Sequence, residues 1–194
     1  MEHDLSKQYW NNRYLTDDFK WDIGYPSPPI VEYAMQLDNK KLKILIPGAG
    51  NAYEAEYLYQ HGFTNVYVLD FAQQALDNFK NRVPHFPVQH LINQNFFEHQ
   101  GQYDLILEQT FFCALHPTLR HQYAQHIRAL LKPGGKLVGL LFNDALNDNQ
   151  PPFGGNAQTY QAIFEGVFKI NKMELCYNSI SPRKDRELFI QFEK

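Results

Sequence analysis

Apolar positions along the chain gather into short continuous runs, and the stretches between them carry apolar residues at helical spacing. The runs Lys43–Ile46, Val66–Asp70, Val88–Ile92, Tyr103–Glu108 and Lys136–Phe142 have strand length and predict buried strands. Between them, Ala52–His61, Ala72–Arg82, Thr118–Leu131 and Gln158–Val167 predict helices, the third of these ended by Pro133-Gly134-Gly135. Two late strands, Met173–Ser179 and Glu187–Phe192, are separated only by the turn-like SPRKDR. No helix fits between them, so they are expected to pair antiparallel as a hairpin. Residues 5–37 lack strand alternation and carry Trp10, Tyr14, Trp21 and the cluster YPSPP, which predicts two helical pieces around an irregular proline turn. Alternation of helices with continuous apolar strands predicts an α/β fold. The sheet should be mostly parallel and seven-stranded, with helices on both faces and an antiparallel C-terminal hairpin. One domain is expected over residues 1–194, with 1–37 as an N-terminal cap and 38–194 as the core.

Composition narrows the picture. A net charge of −3 gives no bulk attraction to nucleic acid or to an anionic membrane, so neither is an expected partner. No apolar run approaches the ~20 residues of a membrane helix. The opening MEHDLSKQYW is too polar for a signal peptide. The two cysteines, Cys113 and Cys176, have no CxxC spacing, which suggests reduced thiols and a cytoplasmic protein. The eight histidines form no HxH or HxxxH pair, and Cys113-x-x-His116 has no second half, so no metal is expected.

The stretch ILIPGAGNAYEAEYL carries the first chemistry. Gly48 and Gly50 follow a strand and precede a helix, where backbone must turn tightly or approach a ligand. Asp70 ends the next strand 22 residues after Gly48, placed to accept hydrogen bonds from two ribose hydroxyls. A dinucleotide site wants a third glycine, and that place holds Tyr53. Glu54 and Glu56 open the helix and would repel a diphosphate at its N-terminus. A ligand with ribose and adenine but no phosphate meets neither objection, and S-adenosylmethionine is such a ligand. Its ribose would go to Asp70, with Phe71 beside it, and its amino-acid end would lie over the turn Pro47-Gly48-Ala49-Gly50.

Further residues give the pattern a family. LIPGAG, then FFCALHPTLR followed by LLKPGG, then PPFGG and PRKDRE, resemble the class I methyltransferases of the thiopurine/thiol/halide methyltransferase family from about Tyr9 to Phe192. The resemblance implies a Rossmann-like class I methyltransferase fold, S-adenosylmethionine as cofactor and S-adenosylhomocysteine as product. It implies Asn95 and Phe96 beside adenine, and Trp10, Tyr14 and Trp21 as an aromatic cap over the cofactor. The sequence departs from many relatives at Asn95, at Glu108 and at Tyr14, where Asp, Asp and Trp stand. An amide at Asn95 still offers an oxygen to the adenine amino group.

The implied reaction is in-line methyl transfer from a sulfonium to a small soft nucleophile, a thiol first, then halide or chalcogen anions and thiopurines. Glu108 lies at the carboxyl edge of its strand, where open α/β sheets bind ligands. It is expected to face the methionine ammonium or the substrate as the catalytic carboxylate, against the alternative of a solvated strand-end acid. Phe111 and Phe112, with Phe153 of the PPFGG loop and Tyr160, are candidates to line the acceptor pocket, against ordinary core packing. Cys113 reads as a small buried hydrophobe rather than a nucleophile. Arg183-Lys184-Asp185-Arg186 reads as a solvated hairpin turn, with a grip on an anionic substrate as the alternative. The partner is a small-molecule methyl acceptor, and the chain is expected to be a monomer or weak homodimer.

Overall fold

The structure is a computed structural model that describes residues 5–194; residues 1–4 of the expected cap lie outside the described residues. Two helices open it, α1 (Lys7–Leu15) and α2 (Pro28–Met35), on either side of a loop that ends in prolines. Ser6 caps α1 by accepting from the Tyr9 amide at 3.3 Å, and Pro28 starts α2, where a missing N–H costs nothing. The core then alternates through β1 (Ile44–Pro47), α3 (Tyr53–Gln60), β2 (Val66–Asp70), α4 (Gln73–Arg82), β3 (Leu91–Asn93), β4 (Tyr103–Gln109), α5 (Arg120–Leu130), β5 (Leu131–Phe142), α6 (Ala157–Phe164), β6 (Lys169–Leu175) and β7 (Glu187–Glu193).

The seven strands lie in the order β3-β2-β1-β4-β5-β7-β6. The first five pair in parallel, and β7 pairs antiparallel with both β5 and β6. The Rossmann-like class I methyltransferase arrangement and its C-terminal hairpin are therefore present. Side-chain alternation along the strands divides the core between the two faces. Leu45, Leu69, Ile106, Leu137 and Phe192 pack on one face with Tyr123, Ile127 and Phe164 of α5 and α6. Ile44, Ile46, Val66, Val68, Leu105 and Val138 pack on the other with residues of α2, α3 and α4.

Four element boundaries differ from the sequence reading. Val88–His90 forms a 3-10 turn, and β3 is confined to Leu91–Asn93; Val88 is 60% exposed and has no core to face. Pro117–Leu119 also makes a 3-10 turn, so α5 starts at Arg120. Leu131 is already extended, and β5 continues through Pro133-Gly134-Gly135 instead of those residues ending a helix. Gly166, with φ +77°, follows α6, and β6 begins at Lys169 because its pairing with β7 runs from Lys169–Glu193 to Leu175–Leu188. No helix among the described residues is long and apolar enough to cross a membrane.

Strand order reverses between β1 and β4, since β2 and β3 lie on one side and β4 and β5 on the other. Chains leaving the carboxyl ends of those two strands diverge, and the crevice left there is where open α/β sheets bind ligands.

Candidate cofactor and acceptor site

A cleft of about 880 Å³ opens at this edge. Its floor is the turn after β1. Gly48 and Gly50 have φ of +55° and +54°, the left-handed region open to glycine, and Ala52 joins them at +54°. Neither glycine could carry a side chain. A Cβ on Gly48 would lie 2.1 Å from the Phe111 ring, and one on Gly50 would lie 2.5 Å from the Tyr14 hydroxyl. The bare backbone is thus the surface that α1 and the β4 loop close upon.

Asp70 sits at the end of β2, and its two oxygens hold this turn. Oδ2 accepts from the Gly50 amide at 2.9 Å and Oδ1 from the Ala72 amide at 2.8 Å. The Phe71 backbone adds to this hold, and a carboxylate with about four acceptor sites still has room for a further donor. Burial pushes the carboxyl up to about 6, against the pull of these amides toward the charged form. Asn93 braces the strand end by donating to the carbonyls of Asp70 and Phe71. Asn95 caps the following 3-10 turn, its Oδ1 accepting from the Phe97 amide at 3.1 Å.

Glu54 and Glu56, read as repulsive toward phosphate, both have partners. Glu54 is buried and accepts from the Ser27 amide at 2.9 Å, tying α3 to the start of α2. Glu56 pairs with Arg82 at 2.8 Å. Tyr53 lies under the same guanidinium, 4.4 Å from its ring centre, and lines the cleft.

The roof is aromatic. Trp10 and Trp21 meet edge to face at 5.4 Å, Tyr14 and Trp21 at 5.9 Å, and Tyr14 stacks on Phe19 at 5.6 Å. The cluster packs on Ala72, just before α4, and on Ala75 within it, and the Asn11 side chain accepts from the Gln74 amide at 2.9 Å. Burial raises the Tyr14 phenol far above its ordinary value, with the charge of Asp70 adding to the effect, so the hydroxyl keeps its proton. Arg183 reaches in from the loop between β6 and β7. It donates to the Trp21 carbonyl at 2.7 Å and lies 3.5 Å from Glu187. Only 9% exposed, it is no solvated turn residue; it ties the C-terminal hairpin to the roof.

The cleft brings together Trp10, Tyr14, Trp21, Gly48, Ala49, Gly50, Asp70, Phe71, Asn95, Phe96 and Phe111. It does not include Pro47, Glu108, Phe112, Phe153 or Tyr160. Glu108 is fully buried, where the sequence reading had it facing the ligand. Its Oε1 accepts from the amides of Phe111 and Phe112 at 2.8 and 2.9 Å, and its Oε2 from the Tyr123 hydroxyl at 2.5 Å. Gly139 stands opposite on β5, and a Cβ there would lie 2.5 Å from that of Glu108. Burial pushes Glu108 up to about 7 although its three donors favour the charged form. Phe112 and Tyr160 pack edge to face at 5.6 Å in the core, and the Tyr160 hydroxyl donates to the Phe142 carbonyl. Phe153 is sealed where its amide donates to the Cys113 carbonyl at 2.7 Å. Burial lifts the Cys113 thiol to about 12, which suits a small hydrophobe.

Sequence reasoning missed Gln109 and Thr110 as cleft residues, and weighed Arg183 only as the alternative to a solvated turn. Neighbours on a strand point to opposite faces, so a buried Glu108 implies a differently directed Gln109, a signal available once the strand's register is known.

The residues present fit an adenosyl ligand: a side-chain-free turn, a strand-end carboxylate with spare lone pairs, and aromatic rings above. Comparison with known proteins agrees. The family model described as thiopurine S-methyltransferase matches residues 5–192. A probable thiol methyltransferase 2 of Arabidopsis thaliana is 27% identical over 195 residues, covering 95% of this chain and 84% of that one. A thiopurine S-methyltransferase of Acinetobacter baylyi is 22% identical, covering 88% of each. Among solved structures, a Burkholderia thailandensis 1,6-didemethyltoxoflavin-N1-methyltransferase, crystallised with S-adenosylhomocysteine, superposes with a TM-score of 0.80 at 15% identity, over 98% of this chain and 87% of that one. The chain belongs to the thiopurine S-methyltransferase family and is an S-adenosylmethionine-dependent methyltransferase.

Proposed function

We propose that the chain methylates a small soft nucleophile, a thiol above all, at the sulfur. The observation that carries this reading is the wall next to the glycine turn. The Phe111 ring lies on Gly48, and Cys113, Ala114, Leu115 and Leu119 continue the lining from there. An acceptor that meets the cofactor there meets a mostly apolar wall, with Thr110 and His116 as its polar members, which favours a weakly hydrated nucleophile over a strongly hydrated one. The names of the relatives, thiol, thiocyanate and thiopurine methyltransferases, support the same class.

Bound S-adenosylmethionine supplies an electrophilic methyl on a sulfonium. The residues of this chain bind, orient and exclude water. Asp70 would take the ribose hydroxyls, Asn95 and Phe96 would stand by adenine, and Trp10, Tyr14 and Trp21 would cover the cofactor. Aromatic faces within reach of the sulfonium contribute about 0.5–2 kcal/mol to holding it. A thiol has a reference pKa of ~8.5, so a thiolate is accessible without a strong base. Charge neutralisation between thiolate and sulfonium is favoured where water is excluded. Glu108 has no part in the transfer; it shapes the turn that carries Phe111.

A turnover screen with S-adenosylmethionine tests the reading, using hydrogen sulfide, small organic thiols, iodide and thiopurines as acceptors. S-adenosylhomocysteine should form fastest with a thiol. Turnover with none of them, by a chain that binds the cofactor, contradicts it.

A further inference from the structure

The wall on the acceptor side carries one ring that can hydrogen-bond. His116 lines the cleft directly after Ala114 and Leu115. Its ring meets Phe153, in the loop between β5 and α6, edge to face at 5.6 Å. Phe153 is buried, so the imidazole rests against a fixed partner. Among the described residues 109–152 that line the cleft, only His116 and Cys113 have titratable side chains, and burial holds the Cys113 thiol in its protonated form.

The two ring nitrogens have different tasks. Nδ1 lies 2.8 Å from the Thr118 hydroxyl and accepts from the Thr118 amide at 3.4 Å, capping the 3-10 turn that leads into α5. A backbone N–H can only donate, so Nδ1 is an acceptor and the neutral ring carries its proton on Nε2. Thr118 does not line the cleft. The cap commits Nδ1 to the backbone and makes Nε2–H the group with which the ring meets a ligand.

A donor on a mostly apolar wall selects for charge, because a hydrogen bond to an ion is about twice as strong as one between neutral groups. The acids that line the cleft, Asp18, Asp22, Glu54 and Asp70, come from the cap, the start of α3 and the end of β2. Resting on the methyl transfer to a soft nucleophile proposed above, we propose that His116 Nε2–H receives the acceptor as an anion, a thiolate or a halide. The ring then acts as a donor and not as a base. A thiolate that arrives ionised forms the new S–C bond with its own electron pair. The C–S bond of the sulfonium breaks, its pair stays on the cofactor sulfur, and no proton passes to the ring.

Steady-state kinetics of the full chain at fixed pH test this, with S-adenosylmethionine, a small organic thiol as acceptor and iodide as a competing anion. His116→Asn keeps an oxygen to cap the Thr118 amide and withdraws the distal donor. It should raise the KM for the thiol at least about tenfold, the scale of a lost bond to a charged partner, and weaken competition by iodide by a similar factor. Its affinity for S-adenosylhomocysteine should stay at the wild-type value. His116→Gln, whose longer side chain carries an amide donor farther out, should lose less than His116→Asn does. A fall in kcat with KM unchanged would assign proton removal to the ring and overturn the proposal. So would unchanged kinetics, or iodide that does not compete in the wild type or competes equally well in His116→Asn. S-adenosylhomocysteine binding that weakens in step with the KM would mean that the variant only distorts the turn, and would overturn it too. A wild-type chain that binds S-adenosylhomocysteine but turns over no thiol would refute the function proposed above, an outcome distinct from these.

Discussion

Asp70 closes β2 and Glu108 stands one residue from the end of β4, so the two acids occupy the same edge of the sheet on opposite sides of β1. Both are buried, at 6% and 0% exposure, and burial lifts both carboxyls, to about 6 and about 7. What separates them is how their lone pairs are used. Asp70 is held by backbone amides alone, those of Gly50 and Ala72 with Phe71 adding to them, and lines the cleft. Glu108 takes two amides on one oxygen and the Tyr123 hydroxyl on the other, and its side chain occupies space left by Gly139. A strand-end carboxylate held by backbone amides alone can thus face the cleft. Where a core side chain such as Tyr123 also holds it, an acid at the same edge becomes a bracket for the backbone.

The largest expected effect breaks the bracket. Glu108→Ala leaves the Phe111 and Phe112 amides and the Tyr123 hydroxyl unmet and opens a cavity. It should cost about 3 kcal/mol or more of folding stability, read from urea unfolding of the ligand-free chain. A loss of a few tenths would show the carboxylate to be dispensable to the fold.

Asp70→Ala should act on the other property. It removes a charged acceptor of two hydroxyl bonds and should weaken S-adenosylhomocysteine binding by about 1–3 kcal/mol. Direct titration measures this, and unchanged affinity would break the ribose assignment.

The smallest effect is a dependence on pH. Both folded-state pKa values lie above their ordinary values of 3.8 and 4.5, so between those values and about 6 and 7 the folded chain binds more protons than the unfolded one. Through these groups, the ligand-free chain should lose stability as pH rises through that window. Ligand hydroxyls on Asp70 favour its ionised form. The thermal shift produced by S-adenosylhomocysteine should therefore be larger at about pH 8 than at about pH 5. Melting curves at the two values, with and without ligand, check the sign; Asp70→Asn should remove most of the difference.

The fold was legible because the apolar runs are continuous and the helices between them are regular. The placement of Gly48, Gly50 and Asp70 at the cleft was legible for a related reason: it belongs to the backbone and to the ends of strands, which the chain pattern locates. Boundaries failed where tertiary context set them. β6 takes its register from β7, and Val88 never reaches the core. The aromatic wall after β4 was less legible, because burial decides which ring lines the cleft and which is core. Phe111 and Phe112 are adjacent, yet one packs on Gly48 in the cleft and the other between Tyr123 and Tyr160. Arg183 was misread because its partner, the Trp21 carbonyl, is 162 residues away in sequence.

The contrast between the two acids is tested most directly by a crystal structure of the chain with S-adenosylhomocysteine. The ribose hydroxyls should lie within hydrogen-bond distance of the Asp70 oxygens, with Glu108 still holding the Phe111 and Phe112 amides and touching no ligand atom. A ribose seated away from Asp70, or a Glu108 carboxylate swung out onto the ligand, would contradict the account.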